Sequence, residues 1–281
     1  SYGCPGSYLD FANLLIYGED DWVTFSDEAA AKTTPAAIFP TSGTGGLPKA
    51  AYLSHRAMIS QHLSISYHVP YRVTRLMSLS MFHLFGALWT HIFPIRYGQP
   101  LYILPRFEPS QFLAAIHQYQ ITETYMVPAM IHVFNRSSLP IEELAGSLRY
   151  VGIAGAPIDG PSMQQFQGML HARAQASQLW GMTETGVAFQ TRYGKPGDAG
   201  SIGRLLPGYD VRLLGGDGNL VFSDDCPGEV YVRGPGLLTG YKGRDVALDR
   251  HGWFQTGDIA YVSNGQYFIV GRTKELIKVR G

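Results

Sequence analysis

Hydroxyls, glycines and one ammonium crowd into Thr41-Ser42-Gly43-Thr44-Gly45-Gly46-Leu47-Pro48-Lys49, between two apolar runs. Glycines let successive backbone N–H groups converge on one point, Ser and Thr add donors and Lys neutralises charge, so the composition suits a phosphate. A Walker loop needs Lys directly after the last Gly with Ser or Thr next, whereas here Leu47-Pro48 intervenes and Ala50 follows. No Gly spacing in the stretch fits the dinucleotide fingerprint either. Taken alone it reads equally well as a flexible turn between strands. Four downstream groups carry further candidates for chemistry: Gly155-Ala156-Pro157, Trp180-Gly181-Met182-Thr183-Glu184, Trp253-Phe254-Gln255-Thr256-Gly257-Asp258 and the run from Gly271-Arg272-Thr273-Lys274 to Lys278.

Such groups need elements to position them. From Ala36 to about Gly181, β-prone runs alternate with segments of helical period. The runs are Ala36 to Phe39, Ala50 to Leu53, Leu76 to Met81, Leu101 to Leu104, Thr124 to Val127, Tyr150 to Ala154 and Gln178 to Trp180. Between them, Ser54 is placed to cap a helix through Ile65, Pro109 to open one through Tyr119 and Pro161 to open one through Ala174. This alternation predicts a layered α/β sheet core. After about Pro207 the pattern turns to hairpins: Val211 to Leu214, Leu220 to Phe222, Glu229 to Val232, and a pair flanking Asn264-Gly265, a favoured two-residue turn. The expectation is an α/β region over 1–206 and a β-rich, barrel-like one over 207–281. One uncharged run, Leu76 to Ile95, has the length of a membrane span. It holds His83, Thr90, His91 and Pro94, so a buried strand followed by a core helix is the expectation, with no membrane span.

Composition narrows the partners. The 281 residues carry 22 basic and 22 acidic side chains, and zero net charge gives no global field for a nucleic-acid backbone. Any anion must be gripped locally. Charged residues make up 16%, against an average of about a quarter. Two cysteines, Cys4 and Cys226, cannot staple a chain of this length, and no secretory signal is readable in the first thirty residues. The expected compartment is the cytosol, with a peroxisomal address left open.

In order and spacing, these motifs resemble the adenylate-forming superfamily of acyl- and aryl-CoA synthetases, luciferases and nonribosomal adenylation domains. The resemblance runs from about Thr34 to Gly281, and Phe82-His83 with the Gly271 to Lys278 ending brings it nearest to the 4-coumarate:CoA ligase branch. It implies ATP-dependent activation of a carboxylic acid, with Mg²⁺ as cofactor. The carboxylate attacks the α-phosphate, giving an acyl-adenylate and pyrophosphate, and a thiol of CoA or of a carrier protein then takes the acyl group. Thr41, Ser42, Thr44 and Lys49 would hold the outer phosphates, while Gly43, Gly45 and Gly46 let the loop close. The family usually has a hydroxyl at position 45 and Gly at 50, so Gly45 and Ala50 leave one phosphate donor missing.

The resemblance further makes Glu184 the magnesium ligand and Thr183 a further phosphate hydroxyl, the pair expected to be catalytic. Trp180 would present a flat face to adenine, where the family more often has Tyr, and the Gly155-Ala156-Pro157 backbone with Gly181 would border the purine. Asp258 would accept from both ribose hydroxyls and Arg272 would add a permanently charged contact. For each a plainer role stands beside this one: a solvated Glu, a core Trp, an Asx turn after Thr256-Gly257, and a surface ion pair between Arg272 and Glu275. His83 would gate an acyl pocket lined by Phe85, Gly181, Gly186 and Val187. Met81 to Leu88 contains no acid to meet a substrate ammonium, which favours aryl or medium-chain acyl acids over amino acids. Lys274 matches the family's hinge, and the chain reaches Gly281 without the small C-terminal domain that the family carries beyond it. The expectation is therefore a fragment of the large lobe that binds nucleotide and adenylates poorly. A non-catalytic nucleotide-binding protein and a kinase-like phosphotransferase releasing ADP stay open.

Overall fold

The computed structural model describes residues 16, 18, 24–41, 49–65, 68–243 and 248–274. Helix α1 (Glu28–Thr33) is capped by Asp27, whose carboxylate accepts from the N–H groups of Ala29 and Ala30. Strands β1 (Pro35–Thr41) and β2 (Lys49–Ser54) pair antiparallel, with Thr41 opposite Lys49. Ser54 then caps α2 (His55–Ser64), its hydroxyl accepting from Ala57 N at 3.1 Å, as its position before the helical run predicts.

A seven-stranded sheet follows. Its strands are β3 (Arg75–Met77), β4 (Leu101–Ile103), β5 (Glu123–Met126), β6 (Tyr150–Ile153), β7 (Gln175–Met182), β8 (Gly186–Gln190) and β9 (Arg204–Leu205), in the order β4-β3-β5-β6-β7-β8-β9. The first five run parallel, and β8 and β9 are antiparallel additions. Between the strands lie α3 (Leu84–Ala87), a π turn over Leu88–Ile92, α4 (Phe93–Tyr97), α5 (Pro109–Tyr119), α6 (Pro128–Asn135), α7 (Ile141–Leu144) and α8 (Gly160–Met169). Strand side chains alternate between two cores. Leu76, Met126 and Val151 pack with Phe112, Ile131 and Phe166 of α5, α6 and α8. Met77, Tyr125 and Tyr150 face the other way, toward Trp89 and Phe93, in a core that continues through Val187 and Phe189 to Leu53, Val232 and Phe254.

The later strands β10 (Asp210–Leu214), β11 (Gly228–Arg233), β13 (Phe254–Ser263) and β14 (Gln266–Arg272) form a four-stranded antiparallel sheet. The expected turn joins the last two, with Asn264 at φ 51° and Gly265 at φ 70° between the paired Ser263 and Gln266. The two-residue β12 (Gly240–Tyr241) pairs instead with β2, so β1, β2 and β12 make a third sheet.

Several elements depart from the sequence reading. β1 and β2 stay out of the parallel sheet because their third partner is β12. β3 ends at Met77 instead of Met81, since the chain bends to bring the Ser80 carbonyl onto Gly86, where a Cβ would overlap it. α8 stops at Met169 well before Ala174, because Leu170 turns extended and is buried. Leu220 to Phe222 contributes one bridge, Leu220 to Leu214, instead of a strand. α6 was not anticipated, although Pro128 in its first turn is a start signal. Among the described residues no helix is long and apolar enough to cross a membrane.

Candidate functional site

A cleft of about 780 Å³ opens beyond the carboxyl ends of the parallel strands, where such sheets characteristically bind ligands. The chain leaving β3 supplies His83, Leu84 and Phe85, that leaving β6 supplies Ala154 and Gly155, and the β7–β8 turn supplies Met182, Thr183 and Glu184.

That turn is held between two glycines. Register shifts between Trp180 and Gly181, and a Cβ on Gly181 would overlap the Gly186 carbonyl. Gly186 has φ +66° and abuts the Gln61 side chain, which closes the position to any other residue. Outside contacts fix the turn further: Tyr209 OH donates to Thr185 O at 2.6 Å and Leu238 N to Glu184 O at 2.8 Å. Glu184 is thereby held in the cleft wall, 6% exposed. Its Oε1 accepts from Thr41 Oγ1 at 3.0 Å and from Tyr241 OH at 2.9 Å. Burial, then the Glu184 carboxylate, push the Tyr241 hydroxyl well above its ordinary pKa, so it stays a donor. Lys49 Nζ lies 4.9 Å from the centroid of the Tyr241 ring.

Thr41 and Lys49 are the two feet of the hydroxyl-rich loop, facing each other across the β1–β2 ladder. Ser42, Gly43, Thr44, Gly45 and Gly46 lie outside the described residues. The donors present suit a hard divalent cation such as Mg²⁺. Glu184 Oε2 accepts no hydrogen bond among the described residues, and such an ion commonly takes one or two protein carboxylates and completes its shell with phosphate and water oxygens. Among the described residues no cluster of three or more His, Cys, Asp or Glu forms a self-sufficient metal centre.

On the four-stranded sheet, Asp258 and Arg272 face each other across β13 and β14. Asp258 is 4% exposed, and it accepts from Trp180 Nε1 and from Arg272 Nε, each at 2.8 Å. Arg272, with Thr256, Gly257, Thr273 and Lys274, lines the cleft above it. Trp180 differs from the open face expected of it. It is 8% exposed and meets Phe189 edge to face in the core, and neither it nor Asp258 is among the residues lining the cleft. Arg272 is ion-paired with Asp258, and the expected surface pair with Glu275 falls on a residue outside the described set.

The remaining end is apolar. Phe85, Leu84, Leu88 and Val187 line it. Phe85 meets the edge of Tyr125 at 5.9 Å, and Tyr125 stacks on Trp89 at 3.8 Å, so an aromatic layer backs the cleft. His83 stands exposed at the mouth and caps α3, its Nδ1 accepting from Phe85 N at 3.2 Å. Gly155 lines the wall, while Ala156 and Pro157 are exposed beyond it. The structure thus brings Thr41, Lys49, His83, Phe85, Gly155, Gly181, Thr183, Glu184, Gly186, Val187, Arg272 and Lys274 to one cleft. Tyr241 and Glu229, which the sequence reading missed, and Gln255, to which it gave no role, also line it. The only signal for Tyr241 is its place between glycines in Gly240-Tyr241-Lys242-Gly243, which says turn and nothing of chemistry.

Comparison with known proteins identifies the family. The AMP-binding enzyme family model matches residues 9–242. Over 98% of its length the chain is 56% identical to nicotinic acid-CoA ligase olcI of Penicillium canescens and 57% identical to nicotinic acid-CoA ligase pyr1 of Aspergillus fumigatus. It covers 51% and 48% of those two proteins, so it spans about half the length of the curated relatives it matches. The ATP-bound structure of MatB from Rhodopseudomonas palustris superposes with a TM-score of 0.79 at 25% identity, over 92% of this chain and 51% of that one. With a family model covering most of its residues and relatives above half identity, this chain belongs to the AMP-binding enzyme family.

Proposed function

We propose that the protein carrying this chain activates an aryl carboxylic acid with ATP and transfers the acyl group to CoA. The observation that carries this is the meeting, in one cleft, of a polar end built from Thr41, Lys49 and Glu184 with an acid-free apolar end at Phe85, Leu88 and Val187. A triphosphate fits the first and an uncharged ring the second. The aromatic layer of Tyr125 and Trp89 behind Phe85 favours a flat, single-ring acid, and nicotinic acid, named in two relatives, is the first candidate.

In this reading Lys49 and Thr41, with the loop between them, hold the outer phosphates and stabilise the charge that grows on departing pyrophosphate. Arg272 and Asp258 take the ribose, and the backbone at Gly155 borders the purine. Glu184, and through it Thr41 and Tyr241, would hold Mg²⁺, which neutralises phosphate charge when bound. An acid seated against Phe85 presents its carboxylate near His83 and Thr183. One carboxylate oxygen bonds to the α-phosphorus as the bond to pyrophosphate breaks. The CoA sulfur then bonds to the acyl carbon as AMP leaves with the electron pair.

The test uses the full-length protein with ATP, Mg²⁺, CoA and a panel of acids, following pyrophosphate, AMP and acyl-CoA. AMP, pyrophosphate and an aryl-CoA are expected together. ADP as product, or α-amino acids outcompeting aryl acids, would overturn the assignment.

A further inference from the structure

We propose that Tyr241 is a positioning residue for the phosphate end of the cleft, holding Lys49 and Glu184 apart so that neither neutralises the other. The proposal rests on the functional reading above. Tyr241 touches both charged groups with chemically opposite parts of one side chain. Its hydroxyl donates to Glu184 Oε1 at 2.9 Å, and its ring face lies 4.9 Å from Lys49 Nζ. A cation is attracted to an aromatic face and a carboxylate to a hydroxyl proton, so each group has a reason to stay where it is. Among the described residues Lys49 makes no ion pair, although a flexible ammonium on the same cleft wall as a carboxylate would otherwise be drawn to it.

The backbone that carries Tyr241 is itself anchored. Gly240 and Tyr241 pair with Tyr52 and Ala51, and hydrogen bonds of 2.9 Å from Thr239 N to Tyr52 O and from Lys242 N to Ala50 O bracket the pair. Because Tyr241 and Thr41 both donate to Oε1, the carboxylate is oriented with Oε2 left for a cation. The tyrosine therefore acts through Lys49 and Glu184 and need not touch the nucleotide itself.

The test compares Tyr241→Phe, Tyr241→Leu and Lys49→Ala in the full-length protein, by calorimetric titration of ATP and AMP across a range of Mg²⁺ concentrations. Tyr241→Phe keeps the ring and loses the hydroxyl, so more Mg²⁺ should be needed for half-maximal ATP binding, with AMP affinity unchanged. Tyr241→Leu loses both contacts and should weaken ATP by about tenfold, as expected for a lost contact to a charged group, again sparing AMP. A generic folding defect would weaken both nucleotides alike and would overturn the proposal. So would Tyr241 variants that bind ATP and respond to Mg²⁺ as the parent does while Lys49→Ala loses ATP. If Lys49→Ala also binds ATP normally, the underlying assignment of the phosphate end fails instead.

Discussion

Asp258 accepts from two side chains at once, the indole of Trp180 behind it and the guanidinium of Arg272 in front. Its carboxylate is therefore oriented before any ligand arrives. Arg272 is about half exposed, and its ion pair contributes at most about 1 kcal/mol. The bond from buried Trp180 matters more. Asp258→Ala strands an indole N–H in the core and should lower unfolding free energy by about 1 to 3 kcal/mol, measured by denaturant titration. The same variant should weaken ATP and AMP together, since both carry the ribose. Lys49→Ala should weaken ATP far more than AMP, because only ATP has the outer phosphates. Equal losses in calorimetric titrations of Lys49→Ala would contradict the role given to Lys49.

Where α2 meets α4, His62 is buried 4.3 Å from the ring of Phe93, and neither ring nitrogen has a hydrogen-bond partner among the described residues. Burial, then the nearby charge of Arg96, lower its pKa from 6.5 to about 4. An unfolded chain binds this proton below pH 6.5, whereas the folded one waits until about 4, so stability held above 6.5 drains away as pH falls through that window. The denaturation midpoint should fall between these pH values, and His62→Phe should flatten the fall. A variant with an unchanged slope would show that other groups set the acid limit. Elements with local signatures were legible in the sequence: the Ser54 cap, the Pro109 start and the Asn264-Gly265 turn each need only neighbours a few residues away. The partner of β2 was not, because β12 arrives from far along the chain. The same distance explains the site. Thr41, Lys49 and Glu184 stand out by chemical type, but Tyr241 gains its role from a strand pairing that no local pattern encodes.

Across the whole molecule, the cleft and the buried ion pair occupy opposite ends of the parallel strands. Arg75 and Glu123, 0% and 1% exposed at the side chain, pair at 3.0 Å where β3 and β5 begin. Removing one partner leaves a buried charge unanswered, so Glu123→Ala should cost about 3 to 5 kcal/mol of stability. Nucleotide affinity at a temperature where the variant is folded should not change, and titration of both nucleotides checks this. The pairing of β12 with β2 has a kinetic meaning as well. Thr239 reaches Tyr52 across a separation of 187 residues, whereas the Arg75–Glu123 contact between neighbouring parallel strands β3 and β5 spans 48. Closing the longest loops carries an entropic penalty before any contact rewards it, so the parallel sheet should assemble early and the three-stranded sheet late. Thr239→Pro, which removes both donors to Tyr52, should then speed unfolding and leave the folding rate nearly unchanged in stopped-flow measurements. During refolding, tryptophan fluorescence should recover before the ability to capture ATP, making nucleotide capture a clock for the last step of folding.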